Sequence, residues 1–359
     1  MRVFRYPEGG TWRERGRSHG EAFAGEIRSL ADLRVYLCRI VGGFESDEQV
    51  LELAREHLPI LKLYAADRHE ELCGIAEGAA TTPEHIVVLN HYTDLRDLGR
   101  RGVTEAGEII GADGCTVIFA KTESGSVLAQ TWDMHASATP YVIALEVPSI
   151  GGAPAQTLLS LTGCLGMAGL SSSGVAIAIN NLHSCDARVG VVWSALVRTV
   201  LSLPSAADAR DHILAAPLGS GHHYVVADEG AAFGIETSGA KRQLVFEGDG
   251  LYVHTNHCLE PSVAAASRVP EGSTTFDRLE LAASDASSRP ITGVQDAFER
   301  LGSEAGYPRS VCTNMATAER PHAAATCGAL SIEITSRRML ACAGFPHAAR
   351  PTAFEVHDK

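Results

Sequence analysis

The stretch Asp113-Gly114-Cys115-Thr116-Val117-Ile118-Phe119-Ala120-Lys121 divides the chain into two textures. Upstream, apolar residues recur at three- and four-residue steps; downstream they alternate in short runs rich in β-branched residues. Gly114 lacks Cβ, so the Gly114–Cys115 peptide can take a turn that other residues resist, bringing the Cys115 sulfur toward the Gly114 carbonyl. The run from Thr116 to Lys121 would anchor that cysteine at the head of a strand. Two readings fit these residues. The commoner is a cysteine that fills the core. The chemical one is an N-to-S acyl shift followed by hydrolysis, which leaves Cys115 with a free α-amine. That amine has a reference pKa of about 7.7–8.0 and can take the thiol's proton near neutrality.

Upstream, Thr11-Trp12-Arg13-Glu14-Arg15-Gly16-Arg17-Ser18-His19-Gly20 leads into a helix with Phe23, Ile27, Leu30, Leu33, Leu37 and Ile40 on one face, closed by Gly42-Gly43. Ser46 and Gln49 form a capping signature for a second helix, Pro59 is placed to open a third, and Thr82-Pro83-Glu84 to open a fourth. Glu70 and Glu71, between His69 and Arg68 on one side and Leu72 on the other, read as a solvated face. Residues 98–111 read as an exposed loop that delivers the cleavage point.

Downstream, Glu123-Ser124-Gly125 is a turn between two strands, the second ending in Gln130-Thr131-Trp132-Asp133. Strands are expected over 141–147, 156–161 and 175–179, the last ending at Asn180-Asn181. Gly169-Leu170-Ser171-Ser172-Ser173 does not meet the Gly-x-Ser-x-Gly elbow of serine hydrolases. Helices are expected over 191–203, 206–215, 276–283 and 295–301. His222-His223 begins a strand, where neighbouring side chains face opposite ways and make a poor pair of metal ligands. An antiparallel pair over 329–335 and 339–344 closes the fold.

Three elements, Asp113-Gly114-Cys115-Thr116, the strand pair ending in Trp132-Asp133, and Thr255-Asn256-His257, resemble the acyl-coenzyme A:6-aminopenicillanic acid acyltransferase family. The resemblance runs from about Gly10 to Pro346. Members are self-processing N-terminal-nucleophile (Ntn) cysteine hydrolases, related more distantly to bile salt hydrolases. It implies an α+β fold, a four-layer αββα sandwich with an N-terminal helical segment. Residues 1–114 would be the α chain after cleavage and 115–359 the catalytic β chain. It also implies Cys115 as nucleophile, Asn256 as oxyanion donor and Asp133 as the carboxylate that orients the amine or contacts substrate. Asn181 is a second oxyanion candidate, and Trp132 and Arg309 are candidates for oxyanion or substrate binding. The family often carries Arg directly after a Ser-Ile/Val-Cys segment; here Ser310-Val311-Cys312 is followed by Thr313, and the nearest base is Arg309. That departure weakens any inference that the substrate has the carboxylate of a penicillin nucleus.

The expected reaction is transfer of an acyl group from a small-molecule amide or thioester to an amine or water, with no cofactor and with acyl-coenzyme A compatible as co-substrate. Two alternatives stay open: an unprocessed binding or scaffold homologue, and a conventional hydrolase pairing a cysteine with His257 or His254. With 359 residues, 45% of them hydrophobic, the chain has material for a sizeable core, and a net charge of −13 disfavours nucleic acid and anionic membrane. Nine cysteines without framework spacing, no Cys-x-x-Cys, no His-Glu-x-x-His and no signal-like start point to a cytoplasmic protein without metal. A homo-oligomer is left open.

Overall fold

Residues 1–102 and 114–357 are described in the computed structural model of this chain. It opens with a short strand, β1 (Arg2–Arg5), followed by five helices: α1 (Trp12–Ala22), α2 (Ala24–Gly42), α3 (Asp47–Tyr64), α4 (Ala66–Ala79) and α5 (Pro83–Gly99). Sequence punctuation sets their ends. Thr11 and Glu14 form a full capping box on α1, Ser46 caps α3 by accepting from the Gln49 amide, and Gly43 closes α2 at φ 78°. Pro83 opens α5 at a position whose N–H has no intrahelical partner to lose.

Several expectations change here. The Gly-rich lead-in is itself helix α1. Gly16 and Gly20 weaken it locally, but they lie against Gly74 and Gly78 of α4, where a Cβ at any of the four would overlap the facing helix backbone. Close contact between the two backbones offsets the glycines' helix cost. Helix α3 runs straight through Pro59 and breaks at Ala65 instead, because Val50, Ala54, His57 and Leu61 bury one continuous face on both sides of the proline. Glu71 is wholly buried, accepting from Arg68 (2.5 Å) and Arg198 (2.9 Å), while Glu70 pairs with Arg13 at the surface. Leu98 and Gly99 belong to α5; the rest of the expected loop, from 103 to 111, lies outside the described residues.

From Gly114 the chain turns to strands: β2 (Val117–Thr122), β3 (Gly125–His135), β4 (Val142–Val147), β5 (Gln156–Leu161), β6 (Ala168–Ser171) and β7 (Ala176–Ser184). Helices α6 (Trp193–Val200) and α7 (Ala206–Ala215) precede β8 (Gly221–Ala227), β9 (Ala232–Thr237), β10 (Arg242–Gly248) and β11 (Tyr252–His254). A one-turn helix α8 (Pro261–Ala264), β12 (Ser267–Arg268), α9 (Thr275–Ser288) and α10 (Val294–Arg300) follow. The described chain closes with β13 (Ala324–Glu333), β14 (Arg338–Ala343) and β15 (Thr352–Glu355). Strands β1 and β15, each four residues long, were not anticipated, and β7 continues through Asn180-Asn181 to Ser184.

Nine strands form one sheet, in the order β1-β4-β5-β6-β7-β8-β9-β10 with β12 beside β7, and six form another, in the order β11-β2-β3-β13-β14-β15. The alternation along the six-stranded sheet defines the layers. Val117, Phe119, Leu128, Leu330, Ile332 and Met339 join the core shared with the larger sheet. Their neighbours Ile118, Ala120, Val127, Ala129, Leu340 and Cys342 pack with α9 and α10. On the far side of the larger sheet α5 and α7 lie against β7, β8 and β9. The result is an α+β sandwich of four layers, αββα. No helix of the described residues is long and apolar enough to cross a membrane.

Candidate active site

The register that pairs Val117 with Gln130 extends back to Gly114 and Asp133, whose backbones exchange two hydrogen bonds: Asp133 N to Gly114 O at 2.7 Å and Gly114 N to Asp133 O at 3.0 Å. Cys115 therefore stands opposite Trp132, and both are buried in the core between the sheets. The backbone groups of Cys115 point away from β3, toward the side where β11 ends at His254 opposite Val117. Side chains take the place of a strand neighbour there. Asn256 Oδ1 accepts from Cys115 N at 2.7 Å, and Cys115 O accepts from Asn180 Nδ2 at 3.0 Å and Arg278 Nη1 at 2.7 Å.

Arg278 ties these groups together. It donates from Nη2 to Asn256 Oδ1 at 2.8 Å and from Nε to Thr274 Oγ1 at 2.9 Å. Because a guanidinium and a peptide N–H can only donate, the oxygen of Asn256 must face them; its Nδ2 donates to Asn181 O at 2.9 Å. One hydrogen of that amide is thus committed, and Asn181 joins the site through its backbone carbonyl. Gln130 steadies the other wall. Its side chain exchanges two hydrogen bonds with Ile179, at 2.7 and 2.9 Å, which cross-links β3 to β7 just before Asn180.

Asp133 projects to the opposite face of the strand from Cys115. A Cβ built on Gly114 would lie 2.8 Å from Asp133 Oδ2 and 3.4 Å from Arg278 Nη2, so only glycine leaves room for both. The Asp133 carboxylate is 1% exposed, and neither oxygen makes a hydrogen bond of good geometry. Burial pushes its pKa up, against the pull of Arg278 and the nearby Thr326 and Thr131 hydroxyls. Burial likewise holds the Arg278 guanidinium below its ordinary value, against the attraction of Asp133 and Cys115. A cavity of about 30 Å³ opens beside Gly114 and Asp133, and one of about 230 Å³ is lined by Asn256, His257, Leu182, Val269 and Phe276.

The structure thus gathers Gly114, Cys115, Asn256 and Asp133 within one hydrogen-bonded cluster, with Trp132 across the strand pair. Arg309 is held elsewhere, by Asp277 (2.7 Å) and Ser273 O (2.8 Å), on a cavity of about 510 Å³ over the outer face of the smaller sheet. His257 Nδ1 meets Thr275 Oγ1 at 2.9 Å and Thr255 Oγ1 at 3.3 Å, and burial lowers its pKa to about 4. Asn180 and Arg278 were missed. A signal for Arg278 was present: Thr275, Arg278, Ala282 and Ala286 share the buried stripe of α9, so a charged residue stands where the periodicity asks for an apolar one.

The four-layer αββα arrangement is the Ntn-hydrolase fold. The family model described as acyl-coenzyme A:6-aminopenicillanic acid acyl-transferase matches residues 120–347, and the chain belongs to that family. It is 31% identical over 311 residues, 84% of this chain and 82% of the other, to the acyl-coenzyme A:6-aminopenicillanic-acid-acyltransferase 40 kDa form of Emericella nidulans. Solved structures give distant likenesses. A mutant conjugated bile acid hydrolase from Clostridium perfringens has a TM-score of 0.45 at 10% identity, covering 68% of this chain and 97% of its own. Penicillin V acylase from Agrobacterium tumefaciens has a TM-score of 0.37 at 13% identity, covering 67% and 84%.

Proposed function

We propose that the chain cuts itself between Gly114 and Cys115 and then works as a cysteine acyltransferase or amidase. The observation that carries this reading is the way the Gly114–Cys115 peptide is held. The Gly114 carbonyl receives a 2.7 Å N–H bond from Asp133, where negative charge forms if the Cys115 sulfur attacks. The Cys115 nitrogen rests on Asn256 and its carbonyl is clamped by Asn180 and Arg278, so attacking group and leaving nitrogen sit on a fixed residue.

In the first step Sγ bonds to the Gly114 carbonyl carbon, the C–N bond breaks, and the thiol proton ends on the Cys115 nitrogen. Water then hydrolyses the thioester, releasing the Gly114 carboxyl group and restoring the thiol. The freed α-amine keeps Asn256 Oδ1 as its partner, with the Asp133 carboxylate on the side Gly114 vacates. In turnover the amine takes the thiol proton, sulfur attacks the substrate carbonyl, and the second Nδ2 hydrogen of Asn256 is the donor we assign to the oxyanion. The leaving amine or thiol carries the proton away, and an amine or water resolves the acyl thioester. Acyl-coenzyme A is a suitable donor, as the relative's name indicates for that protein. A penicillin nucleus is not assigned as acceptor, because Thr313 stands where the family carries Arg and donates to Pro308 O. Among the described residues the cysteines are thiols and not disulfides, which suits a cytoplasmic location.

Purified wild type and Cys115→Ala, compared by intact mass and N-terminal sequencing, test the first half. The expected result is two wild-type fragments, one beginning at Cys115, and an intact variant. A folded wild type that stays whole refutes self-processing.

A further inference from the structure

Behind Cys115 the larger sheet carries a buried polar chain that the mechanism above does not use. Glu236 on β9 accepts three hydrogen bonds, from Leu259 N (2.6 Å), Glu260 N (3.0 Å) and His254 Nε2 (2.9 Å). The other nitrogen of that ring, Nδ1, faces two more oxygens, Thr255 O at 2.7 Å and Asn180 Oδ1 at 3.2 Å. A peptide carbonyl and an amide oxygen can only accept, so Nδ1 of His254 carries hydrogen. His223 stacks on it with centroids 3.5 Å apart and planes 16° apart. It places Nδ1 2.8 Å from the same Asn180 oxygen and Nε2 3.0 Å from the Tyr252 hydroxyl. Burial, reinforced by the neighbouring His254, holds His223 well below the ordinary histidine range, so it meets Asn180 as a neutral donor. With two ring N–H groups on its oxygen, Asn180 can turn only its nitrogen to the Cys115 carbonyl.

We infer that Glu236, acting through His254, is a positioning residue for the nucleophile: it seats the His254 ring so that its Nδ1–H, with that of His223, fixes the Asn180 amide on Cys115 O. The inference rests on the reading of Cys115 as nucleophile. Without Glu236 the carbonyl keeps Arg278 but loses a fixed Asn180, and the cysteine residue can rotate about its remaining hold. The groups that face His254 are Glu236 from β9, His223 from β8, Asn180 from β7, Tyr252 on its own strand and His257 beyond it. Of these only Glu236 is anionic.

The test is the rate of self-cleavage after cell-free synthesis, followed by intact mass for wild type, Glu236→Gln, Asn180→Ala and the double variant. In Glu236→Gln the single amide oxygen cannot accept from Leu259 N, Glu260 N and His254 Nε2 together, so the ring loses its fixed seat. That variant is expected to cleave at least about tenfold more slowly than wild type, and the double variant to cleave at the same rate as Asn180→Ala alone. A purely structural Glu236 would slow the double variant further by its own factor, and that result, or a wild-type rate for Glu236→Gln, overturns the inference. In ¹⁵N-histidine-labelled Cys115→Ala protein, which stays whole, His254 is expected to show hydrogen on Nδ1 at pH 7.5. A bare Nδ1 there overturns the inference even if Glu236→Gln fails to fold. A wild type that does not cut itself refutes the nucleophile assignment instead and leaves the nitrogen measurement standing.

Discussion

Arg278→Met removes the group that ties the candidate site together. Two short bonds from the guanidinium, to Cys115 O and Asn256 Oδ1, are charge-assisted and worth about 1.5–3 kcal/mol each, roughly 3–6 kcal/mol gross. Methionine recovers part of this, since it fills the volume without burying a charge, which leaves a net loss of about 2–4 kcal/mol. At ~2.1 cal/mol/K of unfolding entropy per residue over the 359 residues, Tm should drop by roughly 3–5 °C. The chemical effect is larger. Cys115 O would keep only Asn180, Asp133 would lose the neighbouring cation and protonate more readily, and a nucleophile displaced by about 1 Å costs about 100-fold in rate. Arg278→Lys keeps the charge beside Asp133 but has no planar fork to span both acceptors, so it should fold like wild type and cleave about tenfold more slowly. Cell-free synthesis with intact-mass time points gives the cleavage rate, and differential scanning fluorimetry the Tm. Cleavage of Arg278→Met within about threefold of wild type would show that the guanidinium only fills space.

Gly114→Ala forces Asp133 to retreat toward the cavity of about 30 Å³ beside it, because its Oδ2 lies 2.8 Å from the new Cβ. Overpacking of this kind costs about 1–3 kcal/mol, and self-cleavage should slow about tenfold; an unchanged rate by the same assay contradicts the fit. Acid should destabilise the fold. Burial lowers His91 to about 3 and His19 to about 4, and it also holds His57, His135 and His223 below the ordinary range. In the unfolded chain such rings take up protons near pH 6.5, so the unfolded state binds more protons between roughly pH 6.5 and 4, and stability falls as pH falls through that window. Urea midpoints at pH 7.5, 6 and 5 should decline in that order; a flat or rising series is the contrary result.

What the sequence showed of this fold was what local chemistry controls. Ser46 and Pro83 mark helix starts because caps act within one turn, and the β2–β3 hairpin is visible because Val117–Thr122 opens with a short apolar run rich in β-branched residues and Gly125 supplies the positive φ of 130° its turn needs. Gly114 and Cys115 stood out where the helical texture gives way to strands, while Asp133 and Asn256 were picked out only by the family resemblance; the structure places all four in one cluster. Tertiary forces hid the rest. Edge strands β1 and β15 are four residues each, too short for a period. Pro59 sits inside a helix whose buried face outweighs it. Glu71 looks solvated until Arg198, 127 residues away, is folded onto it. Arg278 and Asn180 act only through groups distant in sequence, 163 and 65 residues from Cys115.

Strand β1 pairs with β4 in parallel register from Arg2 to Arg5, and residues of α2 to α5 share one continuous core with β2 to β9. If the Gly114–Cys115 bond is cut as proposed, that core becomes an interface between two polypeptides, each lacking the other's share of the apolar interior. The fragments should remain together through any purification that keeps the fold, since parting them amounts to unfolding both. The molecularity of refolding changes with the cut. The precursor recovers its structure at a rate independent of concentration, whereas the cleaved form must find its partner again, so its recovery after denaturation should weaken on dilution. Maturation would then convert a protein that can repair itself after heat or denaturant into one whose lifetime is set by how slowly it opens.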